Sequence, residues 1–332
     1  METRKVQVTG GSTYTVSIPK TWATNAGIEA GSEVEFHPEG ESLLLSPRTD
    51  EGPTEGVLDV DGLHDDDLMR AVVTMYVSGF DVIRLAAVEV NADQRRTIRD
   101  ATRGLVGLEV VEETTDSVVL RDLLDSRELS VYNAVTRMRL IALTMLDDAV
   151  TAIVENDNDL ATDVIQRDDD VDRLWFMVSR VFRSTLRDPS AAAEVGLDRE
   201  TCFDYHSSAR QLERIADHAA KIGSLSRDLG PVPEDVAEGL IALYEDAIGI
   251  VEGAMDALLA EDGDHATELA NDVLDDVLDI DEHTRAVDDK LRDLDPLEAQ
   301  LLGLVVDSLS RCADYGGNVA ETALQNAAPS PR

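Results

Sequence analysis

Six residues near the C-terminal end of this chain occur twice. Leu212-Glu213-Arg214-Ile215-Ala216-Asp217 returns as Leu309-Ser310-Arg311-Cys312-Ala313-Asp314, with Leu, Arg, Ala and Asp at the same offsets. Each copy lies in a long stretch without proline. The duplicated unit is therefore helical, and it places one carboxylate per copy at an equivalent position. An internal repeat decides architecture before local propensity does, so the remaining sequence is read around it.

From Leu129 onward apolar residues fall at i, i+3, i+4 and i+7. Val131, Ala134, Val135, Met138, Ile141, Ala142, Met145, Ala149, Val150 and Ile153 form the first stripe. Asn156-Asp157-Asn158, Asp188-Pro189, Gly230-Pro231-Val232-Pro233, Asp262-Gly263-Asp264 and Asp295-Pro296 punctuate the rest, with Asp295 as an N-cap and Pro296 at the first helical position. Six helices are predicted near 129–156, 158–187, 197–228, 232–262, 264–293 and 296–326, arranged as two similar triplets (129–228 and 232–326). Long antiparallel helices joined by short turns pack as bundles.

The repeated motif falls on the third helix of each triplet. Glu213 and Asp217 are four apart and project from one face, as do Ser310 and Asp314. The preceding helix is also acidic, through Asp168-Asp169-Asp170 and Asp172 in the first triplet and Asp279, Asp281 and Glu282 in the second. Where such faces meet, carboxylate oxygens converge in a way that suits a hard or carboxylate-favouring cation. The same residues also read as a solvated face on which Asp217 pairs with Lys221, a contact contributing about 0.3–0.5 kcal/mol. Spacing alone leaves both readings open. His218 is the one histidine beside the motif and reads as a surface or packing residue, while His206 and His283 have no evident partners. Gly316-Gly317 inside a helical stretch implies close approach of a neighbouring helix.

The 332 residues exceed one ordinary core and imply two or three domains. The net charge is −39, from 42 Asp and 26 Glu against 25 Arg and 4 Lys. Such lysine depletion with aspartate excess is the surface expected of a halophilic cytosol, where the Debye length is about 3 Å. A hydrophobic content of 43% and sustained periodicity argue against a disordered acidic chain. The charge is uneven. Residues 1–48 carry Arg4, Lys5, Lys20 and Arg48 against six Glu, a net of −2, and so leave −37 to the other 284 residues. A nearly neutral module on an acidic body keeps its surface for something the body would repel. No apolar run approaches the roughly 20 residues needed to cross a bilayer, and no signal peptide opens the chain. Cys202 and Cys312 are isolated on predicted helices, which fits a reducing compartment and provides no thiol metal cage. A cytoplasmic protein without membrane insertion is expected.

In the N-terminal module, Val6, Val8, Tyr14, Val16 and Ile18 alternate around the turn Gly10-Gly11-Ser12. Pro19 stops the strand, and Lys20 to Ala26 makes a short helix ended by Gly27. Gly31 turns the chain into Val34-Glu35-Phe36, and after Pro38-Glu39-Gly40 the run Leu43-Leu44-Leu45 forms the last strand. A ββαββ unit of about 40 residues buries too little surface alone. Exchanging hairpins with a second copy closes its edges, so an obligate homodimer is expected. Val8-Thr9-Gly10, Ser17-Ile18-Pro19-Lys20, Ala26-Gly27-Ile28 and Gly31-Ser32-Glu33-Val34 resemble the AbrB/SpoVT swapped-hairpin DNA-binding family. The resemblance implies half of a dimeric β-barrel over residues 1–48, docking on DNA through basic residues of its first strands and adjoining loops. Mapped onto this sequence, the DNA-binding candidates are Arg4, Lys5 and Lys20, with Ser12, Thr13 and Tyr14 as donors to phosphate.

Residues 49–54 form a linker. Beyond it, Gly56–Val60 reads as a strand, Asp65–Ser78 as a helix closed by Gly79, and Asp81–Ala87 as a buried strand. Asn91 with Gln94 makes a capping box for a helix to about Val106, followed by a hairpin of Leu108–Glu112 and Ser117–Leu120. This βαβαββ layer, residues 55–122, has no phosphate loop, nucleophile elbow or His/Cys cluster, and Asp65-Asp66-Asp67 reads as the charge complement of a helix N-terminus. The fold class expected overall is multidomain α+β: a swapped-hairpin barrel half, a small α/β layer, and an all-α domain over 129–326.

Leu212-Glu213-Arg214-Ile215-Ala216-Asp217-His218-Ala219, its degenerate copy and the two-triplet layout resemble the PhoU family of phosphate-uptake regulators. That resemblance implies a six-helix protein acting on a phosphate ABC transporter and on signalling proteins. It also implies a divalent or iron-type metal on the E-x-x-x-D motifs. Position by position, the metal candidates are Glu213, Asp217 and Asp314, with Ser310 in place of the second Glu. Two functions of different class follow. One is a phosphate-responsive transcriptional regulator, with a DNA-binding head coupled to a sensor body. The other is an accessory protein that negatively regulates a phosphate ABC transporter without binding DNA, its head serving only dimerisation. Catalysis is not expected, since no nucleophile–base pair or phosphate-cradling loop accompanies the acids.

Overall fold

The computed structural model describes residues 3–39, 42–48, 52–123 and 130–329. It divides into two compact units, Met1–Pro53 and Thr54–Arg332. Residues 49–51 of the linker, Gly40 of the last head turn and Leu129 at the start of the first bundle helix lie outside the described residues.

In the first unit the alternating apolar pattern makes a hairpin. β1 (Gln7–Thr9) runs antiparallel to β2 (Thr13–Thr15), with Val8 opposite Tyr14. Gly10 and Gly11, at φ +65 and +82, supply the left-handed backbone of the three-residue turn Gly10-Gly11-Ser12. α1 (Lys20–Asn25) follows Pro19, and β3 (Val34–Glu39) pairs with β4 (Ser42–Pro47). These strands form two separate ladders, not a closed barrel. None of the unit's described residues is buried, and Val8, Tyr14, Phe36 and Leu43 are all more than half exposed.

The second unit opens with an α/β layer. β5 (Glu55–Asp59), α2 (Asp65–Val77), β6 (Val82–Ala86), α3 (Ala92–Arg103), β7 (Leu108–Glu113) and β8 (Ser117–Asp122) give a sheet of order β5-β6-β8-β7. β5 and β6 are parallel and the other pairs antiparallel. Leu68, Val72 and Tyr76 of α2 and Ile98 of α3 pack with Ile83, Leu85 and Leu120 of the sheet into one apolar core. The capping box forms as its sequence requires: Asn91 accepts from the Gln94 amide at 2.9 Å and Gln94 Oε1 accepts from the Asn91 amide at 3.1 Å. Gln94 Nε2 then donates to the carbonyls of Val60 and Leu63, tying α3 to the end of the first strand.

The helical body contains α4 (Val131–Glu155), α5 (Asn158–Arg187), α6 (Pro189–Val195), α7 (Arg199–Ser226), α8 (Glu234–Leu259), α9 (Gly263–Leu291) and α10 (Pro296–Ala327). The short α6 departs from the sequence reading, which ended a helix at Asp188-Pro189 and left the chain irregular to 197. Asp188 caps a new turn by accepting from the Ser190 amide at 2.8 Å, and Gly196, at φ +74, closes it.

The duplication is visible in the packing. The buried residues Val131, Val135, Met138 and Ala142 of α4 have counterparts in Val236, Leu240, Leu243 and Ala247 of α8. Ala161, Val164, Val171 and Val178 of α5 correspond to Ala270, Val273, Ile280 and Val287 of α9, and Leu212 and Ala216 of α7 to Leu309 and Ala313 of α10. All of these except Ala161 join one core. At Gly316 a Cβ would lie 2.7 Å from Ile250 and 3.2 Å from the backbone nitrogen of Val251, so α10 meets α8 where a side chain would not fit. None of the described helices is long and apolar enough to cross a membrane.

α5 also holds the α/β layer. Arg180, 7% exposed, donates through Nη1 to the carbonyls of Tyr76 (2.8 Å) and Phe80 (3.0 Å). Its Nη2 meets Asp122 at 2.8 Å and Asp81 at 3.2 Å, and its guanidinium lies 5.0 Å over the Tyr76 ring. One buried cation thus joins both core clusters.

Candidate functional site

Two groups of candidate residues stand on separate units. In the head, the β1–β2 register sorts them by face. Val8 faces Tyr14 across the ladder on one apolar face, and Val6, Val16 and Ile18, which the sequence alternation places with them, lie just outside the paired residues. Gln7, Thr9, Thr13 and Thr15 line the other, with Thr9 and Thr15 hydroxyls 3.1 Å apart. Ser12 and Thr13 lie at the turn and the start of β2, and Lys20 opens α1. Arg4, Lys5, Ser12, Thr13 and Lys20 are all exposed. Tyr14 is separated from Thr13 by the alternation and points with the valines. Gln7, Thr9 and Thr15, which the sequence reading passed over, share the polar face. The period-two pattern already carried that assignment.

In the body, α5 and α7 run antiparallel and bring Asp168 and Asp172 to Glu213 and Asp217. Burial raises the Glu213 carboxyl to about 7, Asp217 and Asp172 add to this, and the Arg210 and Arg214 cations oppose it. Asp168 rises to about 7, chiefly through burial and then through Asp217 and Asp172, and Asp172 to about 6 through burial and Asp217. Asp217 is raised by burial against the pull of Arg210 and Arg214. Glu213 is 7% exposed: Oε1 accepts from Arg210 Nη1 at 2.5 Å, and Oε2 is buried with no partner. A buried carboxylate oxygen without a donor costs about 1–3 kcal/mol, a penalty a cation would relieve. Carboxylate oxygens are the donors that a hard cation takes. Yet among the described residues no three His, Cys, Asp or Glu side chains are gathered closely enough to hold one.

Asp314 does not join this group. It is exposed on α10 and pairs with Arg311 at 3.6 Å. In the second half, Val277 stands where α5 has Asp168, Ser310 stands for Glu213, and Asp281, the counterpart of Asp172, pairs outward with Arg285. Val277 instead packs by Gly317, where an added Cβ would meet it at 3.3 Å. Asp279 faces α8 together with His283, which is hydrogen-bonded to Asp246. The acids of α9 therefore do not converge on α10 as their sequence spacing implied.

Other expectations also change. Lys221 pairs with Asp307 across to α10 at 3.9 Å and not with Asp217. His218 Nε2 lies 3.4 Å from the Tyr315 hydroxyl at the seam between the halves. His206 is not isolated: its ring stacks between Trp175 and Phe182. Arg210 was missed altogether, because one helical turn of spacing before Glu213 does not distinguish a counterion from a solvated arginine.

These raised carboxyls set a pH dependence. A carboxyl whose folded value exceeds its unfolded one binds its proton more tightly in the fold, so its contribution to stability is greatest below pH 4 and is lost as pH rises through about 7. For Glu213 the change amounts to at most about 3 kcal/mol, and to about 2 kcal/mol once solvent screening of the partly accessible carboxyl is allowed for. The melting temperature of the chain should fall more steeply between pH 5 and 8 than that of Glu213→Gln; parallel profiles would contradict the assignment.

Known proteins resemble the two units separately. Residues 135–225 match the PhoU domain, and residues 7–53 match the bacterial antitoxin family described as antidote-toxin recognition MazE. The crystal structure of PhoU from Pseudomonas aeruginosa is similar at 23% identity and a TM-score of 0.51, covering 58% of this chain and 93% of that one. The phosphate transport system regulatory protein PhoU from Streptococcus pneumoniae aligns at 20% identity and a TM-score of 0.47, over 58% of this chain and 91% of its own. No curated protein sequence matches this chain. The chain carries a PhoU domain behind an N-terminal MazE/AbrB-like domain, and its body has the PhoU fold.

Proposed function

We propose that this protein is a phosphate-responsive transcriptional regulator, in which a dimeric DNA-binding head is coupled to a PhoU-type sensor body. The observation that carries the reading is the union, in one chain, of a MazE/AbrB-like head with a PhoU domain of the phosphate-regulation family. The head also has two faces suited to two partners. Val6, Val8, Tyr14 and Val16 leave an apolar face uncovered, which a second copy of the head would bury. Lys5, Thr13 and Lys20 leave a polar, cationic surface for phosphate oxygens, on the part of the chain whose net charge is only −2.

In the body, a divalent cation would have to draw Asp168, Asp172, Glu213 and Asp217 together, since as they stand no three of them are close enough to hold it. Such an ion would neutralise the mutual repulsion of the four carboxylates. The chain's own contribution is to bury Glu213 with one oxygen unpartnered and to supply Arg210 and Arg214 as local counter-charge. The halves differ in this respect, since Val277 and Ser310 leave the second without an equivalent set. A phosphate ABC transporter or a signalling protein would be a further partner of the body.

Chromatin immunoprecipitation from phosphate-replete and phosphate-starved cells tests the reading. Enrichment at promoters of phosphate-transport genes that changes with phosphate supply is expected. A chain absent from the chromosome in both states would favour the accessory role, with a head that only dimerises.

A further inference from the structure

The α/β layer and the helical body leave a cleft of about 720 Å³ between them, bounded by α2 and α3 on one side and α5 on the other. Small-molecule sites run from roughly 300 to 1,000 Å³, so the space suits a ligand of that class. Of the acids gathered against α7, only Asp172 lines it. The floor is apolar. Met69 and Val73 of α2 and Phe176 of α5 are partly buried and pack against the edge of the layer's core.

Charges stand around this floor, and those of α2 and α3 satisfy one another. Arg70 pairs with Asp67 at 2.7 Å and Arg103 with Asp100 at 2.8 Å, each with the acid three residues before it. Arg96 does the same with Asp93 at 3.3 Å. α5 departs from that pattern. Arg173 follows Asp170 by three residues and Asp169 by four, the spacings and the orientation at which such pairs form. All three line the cleft and are exposed, yet none makes a hydrogen bond or ion pair with a described residue. Unpaired acids are expected on a chain of net charge −39, but an unpaired arginine beside two of them is not.

Among the described residues, one helical turn of α5 thus offers a guanidinium and two carboxylates beside an apolar recess. An inorganic anion would meet Asp169 and Asp170 as well as Arg173. A simple amine would leave the guanidinium uncovered. A zwitterion answers both signs and adds no net charge to the cleft.

We propose that this cleft binds an α-amino acid with an apolar side chain, its carboxylate on Arg173, its ammonium on Asp169 and Asp170, and its side chain against Met69, Val73 and Phe176. The two charged groups of an α-amino acid share one carbon, so side chains three and four apart on one helix reach both. The ligand touches the layer and the body together, and its binding stabilises the folded chain. The site goes beyond the function proposed above and needs neither a cation on the carboxylate seam nor DNA on the head.

Full-length protein in EDTA and concentrated KCl is titrated with L-leucine, L-methionine and L-phenylalanine, following heat and melting temperature. At least one should bind and raise the melting temperature. Its deaminated and its decarboxylated analogue should each bind about 10-fold or more weakly, because each leaves a charged partner unmet. Arg173→Gln should weaken the amino acid about 10-fold and leave the decarboxylated amine unchanged. Asp169→Asn with Asp170→Asn should do the converse and spare the deaminated acid. These three side chains are exposed, so the variants should keep the wild-type melting temperature without ligand. Absence of heat and of any melting shift with all three amino acids would overturn the site. An amine that binds as tightly as its parent amino acid would overturn the zwitterion, as would undiminished affinity in Arg173→Gln.

Discussion

Replacing Arg180 with alanine is expected to lower the unfolding free energy by about 3–5 kcal/mol, the usual cost of removing one partner from a buried ion pair. The guanidinium makes four polar contacts at 3.2 Å or less, and the side chain of Asp122, which it meets at 2.8 Å, is only 10% exposed. Truncation removes the charge that balances Asp122 and strips donors from the carbonyls of Tyr76 and Phe80. It also removes the cation from the face of Tyr76, whose hydroxyl burial drives well above its ordinary value and which donates to the Val106 carbonyl. Because Arg180 joins the α/β core to the helical core, the loss should also split the cooperative transition, with the layer melting before the bundle. Denaturant unfolding followed by calorimetry checks both. Asp122→Asn in the Arg180→Ala background should recover part of the stability, since it removes the uncompensated charge. A single transition with less than about 1 kcal/mol lost would mean that the clamp contributes no more than a surface contact.

The second large effect is expected at the head. Lys5→Glu with Lys20→Glu should weaken binding to promoter DNA by about 100-fold at moderate salt and flatten its salt dependence, because each lost phosphate contact reduces the counterions released. In a dimer the two substitutions act four times, on the part of the chain least burdened with acid. Lys5 precedes β1 and Lys20 opens α1, so neither is part of the Val8–Tyr14 pairing, and sedimentation of the variant should still report the wild-type assembly. Equal affinity of variant and wild type would make the head a clamp. Loss of affinity together with loss of assembly would show that the lysines support dimerisation instead.

Elements with strong local signals were legible in the sequence. The capping box at Asn91 and Gln94, the helix start at Asp295-Pro296 and the hairpin around Gly10-Gly11 depend on contacts within a few residues, and all three form. The bundle followed from its repeat, and Gly316 lies where α10 crosses α8 closely, as a paired glycine in a helix implies. Long-range placement was not legible. That β8 and not β7 lies beside β6 depends on how the last hairpin folds back, which no local pattern fixes. The acids of α9 have helical spacing much like those of α5, yet a valine at 277 and a serine at 310 turn the second copy into ordinary packing and surface. Arg180 and Arg210 looked like two arginines among 25 in the sequence. What distinguishes them is burial against another layer in one case and stacking across a helix pair in the other.

The central claim is that a single chain couples the state of its carboxylate site to DNA. The most direct measurement is the affinity of the full-length protein for promoter DNA of a phosphate-transport gene, determined by fluorescence anisotropy with and without added Mg2+ or Mn2+. Wild-type affinity should change by about 5-fold or more between the two states, and Asp217→Ala should be indifferent to the ion. Equal affinities in the loaded and unloaded wild-type protein would contradict the account.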